Sequence, residues 1–461
     1  MNMNKALAIT LMMLLLAACA SKKPRAAISP EASEVDLDLA VEKIVLPNGL
    51  KILVAENHRL PIFSMNIFYS IGGRYETAGV TGATHFLEHM MFKGSKNFGP
   101  GIFDGEIEKN GGNTNAYTTN DQTVYYQNLP ANFLETIMAM EADRMQNLEL
   151  LPASFDSEKL VIFEERKMRY ENSPEGQLYL GALKEIFIKT PYGGSVIGEV
   201  SDLKALTREN LYDFYRKYYC PNNATIVLAG DIRASEVKKL AEKYFAAIPA
   251  STDVEKLHLE RNNPALYKSQ ARLGREIKMK GTSKLPMFMM VYPGVEVGPR
   301  KAYVLDVLSS IIGGGESSYL NLNYVNNTKP LLNNISASNM TLQKAGVFLI
   351  SGTAKNVGSL DGFKKKFFSD INNLCSQGLT ERNLQKTKNQ LLLDHYRQIA
   401  SNAGMAGFLG IRESLLGDYL IYKEEFDTYQ SIELGELKSA CLELLRPRGH
   451  IFLSLWEGYA K

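Results

Sequence analysis

Cysteine, histidine and net charge are all scarce in this chain of 461 residues, which has four cysteines, six histidines and a formal charge of +2. Each shortage excludes something. A near-neutral chain with no long basic run after residue 25 has no electrostatic footprint for nucleic acid. Outside the N-terminal leader only Cys220, Cys375 and Cys441 remain, an odd number at wide spacing, so no disulfide framework can be read from them. Cys220, in "YYCPNN", stands among aromatics and reads as buried rather than reactive or metal-binding. What is present, 45% hydrophobic and 22% charged residues, is the composition of a folded globular chain long enough for two or more cores.

The leader is set apart from that fold. "MNMNKALAITLMMLLLAACASKK" has Lys5 and then an apolar run from Ala6 to Ala18, too short to span a bilayer comfortably. Residues 1–18 read as a secretory signal. They end in Leu16-Ala17-Ala18-Cys19, which resembles the lipobox of bacterial lipoproteins, with Cys19 the lipidated new N-terminus. A plain signal peptide with an incidental cysteine is the alternative. Residues 19–40 are then a polar, proline-containing tether. The expected location is the bacterial envelope, facing the periplasm, and the absence of aspartate beside Cys19 leans toward the outer membrane by analogy.

Two similar halves follow. "VEKIVLPNGLKILVAEN" reads as two strands around Pro47-Asn48-Gly49, and "IFSMNIFYSIGG" as a third. Gly79 to Lys93 has a helical pattern, "NTNAYTTNDQTVYYQNLP" alternates like a strand pair, and Ala131–Met145 and Ser154–Tyr170 are helical. "NATIVLAGD" is a buried strand. A polar, weakly periodic stretch, 251–272, predicts a linker between a first domain, 41–250, and a second, 273–461. In the second, "PMFMMVYPG" matches "PIFSMNIFYSIGG", and "NISASNMTLQKAGVFLISGTAK" supplies another strand pair. The predicted class is α+β, two related domains each with a mostly antiparallel sheet and helices.

The chemistry lies in the first half. On a helix, His85 and His89 of "HFLEH" project from one face, where both imidazoles can reach one ion and Glu88 can reach a water beside it. Two ligands are one short of a catalytic zinc site. In "SEKLVIFEERKMRYENSP" Glu158 and Glu165 lie seven residues apart and differ by only about 20° in direction, whereas Glu164 points away. That pair suits one ligand and one carboxylate that orients a histidine. An alternative is a helix with a solvated charged face.

His-x-x-Glu-His is the inverted zinc motif, and Glu165 follows the second histidine by 76 residues. With "GGNTNAYTTNDQTVYY", "PYGGSVIG" and "YYCPNNATIVLAGD", the chain resembles the family of pitrilysin, insulin-degrading enzyme and mitochondrial processing peptidase from about Val41 onward. The resemblance implies one zinc ion per chain held by His85, His89 and Glu165, with Glu88 as the base and Glu158 behind a ligand. It implies a peptide substrate paired with the strand containing Asn115, Ala116 and Tyr117. The family also implies half of a clamshell chamber.

One departure stands out. Catalytic relatives carry an arginine and, seven residues on, a tyrosine after the glycine-rich turn of the second half. Here "GGGESSYLNLNYVNNTKPLLNNISAS" has no arginine, Tyr319 stands where relatives have it, and Tyr324 is at best a partial replacement. The resemblance therefore implies a second two-domain chain supplying the Arg/Tyr pair in a heterodimer, with a homodimer as runner-up. The competing function is a non-catalytic peptide-binding or scaffold subunit.

Overall fold

The computed structural model describes residues 38–459. Strands β1 (Glu42–Val45) and β2 (Lys51–Glu56) pair antiparallel across a turn whose Gly49 has φ 87°. A side chain there would be strained by that φ and would also meet Asn222. β3 (Ile62–Tyr69), β4 (Asn113–Thr118), β5 (Thr123–Pro130) and β6 (Ala224–Gly230) complete a sheet of order β1-β2-β6-β3-β5-β4, in which only β2 and β6 run parallel. β3 and β6 sit at its centre and are buried almost throughout, which is why "IFSMNIFY" and "ATIVLAG" read as apolar runs rather than alternations.

The second sheet repeats the plan with β7 (Arg275–Lys280), β8 (Met287–Pro293), β9 (Leu332–Thr341), β10 (Gly346–Ala354) and β11 (Ile451–Trp456). Its order is β7-β11-β8-β10-β9, again with a single parallel pair, β7 with β11. The structure is α+β with two similar halves, each a mostly antiparallel sheet packed with helices.

Eight of the helices carry the site, join the halves or cover the sheets. They are α1 (Ala83–Met90), α2 (Pro152–Arg166), α3 (Pro174–Ile186), α4 (Ala234–Tyr244), α5 (Asp253–Arg261), α6 (Arg300–Gly313), α7 (Tyr319–Tyr324) and α8 (Asn402–Leu416). The halves exchange cover: α3, from the first, packs on β8 and β11, while α8, from the second, packs on β3 and β6. Gly410 of α8 lies so close to Phe68 that a Cβ there would stand 1.9 Å from the ring. From Ala40 onward the described residues form one compact unit.

Two local expectations change. The stretch 251–272 is structured: α5 and the turn Pro264–Tyr267 occupy it, because Val254, Leu257 and Tyr267 are buried among its polar residues. Cys375 and Cys441, from which no pairing could be read, form a disulfide with Cα atoms 5.5 Å apart. They are 66 residues apart in sequence, and only the packing of the turn Leu374–Gly378 on the helix Leu434–Leu444 brings them within bonding geometry. Cys220 is free and buried, and burial pushes its thiol up to about 11.

Candidate metal centre

The helical pattern expected over Gly79–Lys93 is realised only from Ala83 to Met90, because Gly79 and Gly82 have φ of 94° and 90° and hold the chain in a turn before α1. The first N–H groups of that helix are not left to water. The buried carboxylate of Glu76 accepts from the Gly82 and Thr84 amides, each at 2.7 Å. Phe86, Leu87 and Met90 then anchor α1 in the first-half core. His85, Glu88 and His89 lie toward α2 and β4.

α2 presents its two carboxylates as their seven-residue spacing requires. Glu165 Oε2 lies 3.5 Å from His85 Nε2 and 3.3 Å from His89 Nε2. One ligand atom from each of His85, His89 and Glu165 falls within 4.8 Å of the others. Glu158 Oε2 stands 3.1 Å from the other nitrogen of His89, and Lys93 holds its second oxygen at 2.7 Å. Glu164 is exposed and pairs with Lys167 at 2.6 Å, away from the cluster.

The electrostatics of this trio favour a cation. Burial acts to raise the Glu165 carboxyl, but its bonds to His85 and His89, with Arg169 nearby, hold it far below the usual carboxylate range. Burial likewise pulls His89 down, and its bonds to Glu165 and Glu158 outweigh that and leave it raised. Glu165 Oε2 is nevertheless a buried oxygen without a hydrogen bond of good geometry, facing two imidazole nitrogens. Two imidazole nitrogens and one carboxylate oxygen are a donor set that suits zinc and leaves a coordination position for a reacting group. The residues present fit the metal.

Around the trio stand three groups that sequence reasoning did not single out. The Thr118 hydroxyl, at the end of β4, donates a short hydrogen bond to Glu88 Oε2. Arg169 Nη2 lies 2.8 Å from Glu165 Oε1, so one oxygen is held by the arginine while the other faces the histidines. Arg169 sits four residues beyond Glu165, in the widened turn Lys167–Glu171, and that helical spacing was the available signal. Glu76 gave none, since nothing in "GGRYETAG" shows where its carboxylate goes.

β4 forms the sheet edge beside the cluster, with Asn115 and Tyr117 exposed and Ala116 half-buried. The N–H of Ala116 donates to the Asn115 side chain at 2.8 Å. In the second half, Tyr324 is fully buried with its hydroxyl 2.7 Å from Asp370, and Tyr319 donates to the Asp370 carbonyl. Neither is free to meet a substrate. Cys19 lies outside the described residues.

Residues 51–199, which contain His85, Glu88, His89 and Glu165, match the family model of insulinase, peptidase family M16, and residues 205–391 match that of the peptidase M16 inactive domain. The chain belongs to peptidase family M16. Within M16 it is similar to the zinc protease PqqE of Helicobacter pylori, 29% identical over 388 residues, 83% of this chain and 84% of that protein. It is also similar to a probable mitochondrial-processing peptidase subunit beta of Arabidopsis thaliana, 26% identical over 355 residues, 75% of this chain and 65% of that protein. The crystal structure of a protease from Helicobacter pylori superposes with a TM-score of 0.82 at 25% identity, covering 90% of this chain and 99% of that one.

Proposed function

We propose that this M16 chain is a zinc-dependent endopeptidase of the bacterial envelope that cleaves unfolded peptides or protein segments. The observation that carries the reading is the convergence of His85, His89 and Glu165, with Glu88 held beside them at the end of an open sheet edge. Bound there, zinc would polarise the scissile carbonyl and make a water nucleophilic near neutral pH.

The chain's own residues do the rest. Glu158 accepts a hydrogen bond from the Nδ1–H of His89, which leaves the lone pair of the other nitrogen for the metal. Arg169 keeps one Glu165 oxygen occupied and so turns the other toward the histidines. Glu88 takes a proton from the attacking water and returns it to the leaving amine, its second oxygen steadied by Thr118. A substrate strand adds to β4, replacing the bond between Ala116 N–H and the Asn115 side chain with its own main-chain pairing.

The reading extends to partner and place. Without an arginine in 314–339, and with Tyr324 buried, the groups that orient the peptide would come from a second two-domain chain. A heterodimer is preferred to a homodimer. The relative named a processing-peptidase subunit supports it. Lipidation at Cys19 would tether the protein; among the described residues no helix is long and apolar enough to cross a membrane. The Cys375–Cys441 disulfide supports an oxidising compartment such as the periplasm.

The test is zinc content and hydrolysis of an unfolded peptide by the purified chain, alone and with the partner chain. About one zinc per chain is expected, with cleavage abolished and zinc kept in Glu88→Gln. A chain that binds no zinc, or a Glu88→Gln variant that cleaves at the wild-type rate, would leave the peptide-binding scaffold as the better reading.

A further inference from the structure

The turn that ends β4 is where the two halves meet, and it encloses a charge pair sealed from water. The Arg74 side chain, on the short turn Gly73–Tyr75 after β3, has no solvent exposure, and Asp121, in the β4–β5 turn, is 5% exposed. Arg74 Nε lies 2.8 Å from Asp121 Oδ1. Arg74 Nη1 donates to the Arg261 carbonyl at 2.8 Å and the Tyr267 hydroxyl at 2.6 Å, both from the stretch that joins the halves. Nη2 donates to the Gln343 side chain at 2.5 Å.

Gln343 belongs to the half without metal donors. It lies in the turn between β9 and β10, and it touches both members of the pair. Its backbone N–H donates to Asp121 Oδ2 at 3.1 Å, and its side-chain amide donates to the Leu415 carbonyl on α8 at 2.8 Å. The next residue adds a parallel route, Lys344 N–H to the Tyr192 hydroxyl and that hydroxyl to Asp121 Oδ1.

From the pair to the catalytic base the path is short. The Thr119 and Asn120 carbonyls accept from the backbone N–H groups of Gly73 and Arg74, at 3.1 and 2.9 Å. The turn thus has its main chain held by the Arg74 segment and its carboxylate held by the Arg74 side chain and the Gln343 backbone. Thr118, whose hydroxyl holds Glu88, is the residue before this turn. A buried arginine keeps its counter-charge because separating them leaves an uncompensated charge in a low-dielectric setting, so the pair is a fixed point. We propose that Gln343 is a positioning residue: through Asp121 and Arg74 it sets the end of β4, and with it the Thr118 hydroxyl on Glu88. The metal-free half then takes part in hydrolysis without touching substrate, an inference that rests on Glu88 being the base.

The experiment compares wild type, Gln343→Ala, Thr118→Val and the double variant in the zinc-loaded full chain with any partner it needs. Amide hydrogen exchange is followed across residues 113–122, with kcat and KM measured separately. Gln343→Ala should speed exchange at 118–122 and lower kcat about tenfold with zinc content and KM little changed. In the Thr118→Val background the same change should cost little more, since residues acting along one route are non-additive. Unchanged exchange at 118–122 overturns the proposal, and so do losses in kcat that simply multiply, or a lowered melting temperature with kcat intact. If wild type binds no zinc and cleaves nothing, the assignment of the site fails, and the exchange rates alone decide whether Gln343 sets the end of β4.

Discussion

β2 and β7 hold the same place in their sheets, each beside its only parallel partner, yet one is "KILVAE" and the other "REIKMK". In β2 the four residues Ile52–Ala55 are all buried, because α4 covers one face and α8 the other. In β7 burial alternates: Ile277 and Met279 pack toward the core below α3, while Glu276, Lys278 and Lys280 face solvent. A duplicated scaffold has kept its hydrogen-bonding plan and rewritten its side chains according to which faces remain covered.

The opposite edges differ in a way that bears on function. β4 and β9 are the corresponding edge strands. At β9, Asn321 donates to the Ile335 carbonyl at 3.0 Å, and Gly313 of α6 comes so close that a Cβ would stand 2.1 Å from Ala337 N. The chain leading into α7 thus lies against that edge, and Leu320 and Tyr324 of α7 fill core space. At β4 only the Asn115 side chain engages the edge N–H of Ala116. One half closed its edge and filled it; the other left it open beside three converging donors.

The largest way to break this asymmetry is to remove a donor. His85→Ala should lose both zinc and hydrolysis, by about three orders of magnitude or more, since the metal contributes several kcal/mol to lowering the barrier. Zinc analysis and peptide turnover check it, and retained zinc would mean that another residue completes the set. Next comes the staple of the other half. Cys375→Ser should cost about 2–5 kcal/mol of stability by thermal unfolding while leaving zinc affinity intact. Wild type with reductant should behave the same way.

Smaller effects sharpen the comparison within the first half. Glu158→Gln should weaken zinc roughly 10–100-fold because His89 exchanges an anionic orienting acceptor for a neutral amide. Glu164→Gln should change nothing measurable by the same competition assay. Equal affinities in the two variants would break the facial assignment of α2. A separate effect concerns Glu76 at the start of α1, for which the start of α6 has no counterpart in Pro299-Arg300. Burial pushes the Glu76 carboxyl up to about 7, against the lowering effect of the Thr84 and Gly82 amides. The folded state therefore binds this proton more tightly than the unfolded chain does. The stabilisation it contributes is complete below about pH 4.5 and lost as pH rises through about 7. Glu76→Gln should flatten that part of the stability profile; parallel profiles for variant and wild type would show the carboxyl does not titrate there.

Much of this could be read before folding was considered. The period of two in "NTNAYTT", the apolar runs of β3 and β6, and the turn at Gly49 are local signals, and the structure has each. Two spacings, four residues and seven, each fix a face of α1 and α2, but that the two faces meet was implied only by the resemblance to the family. The helix starting at Gly79 could not be trimmed from sequence, since glycine permits positive φ without requiring it. The stretch 251–272 looked like a linker because its few apolar residues have no period long enough to stand out.

By itself, then, the sequence determined what depends on neighbours a turn away: which residue types carry the chemistry, which helix face each occupies, and that the chain is built twice. Tertiary structure alone decided what depends on residues far apart in the chain. It joined Cys375 to Cys441, placed Thr118 on Glu88, buried Tyr324 against Asp370, and brought Gln343 to Asp121 across 222 positions. Those pairings are selected by close packing and by the need to satisfy buried polar groups, and neither is a property of any local stretch of sequence.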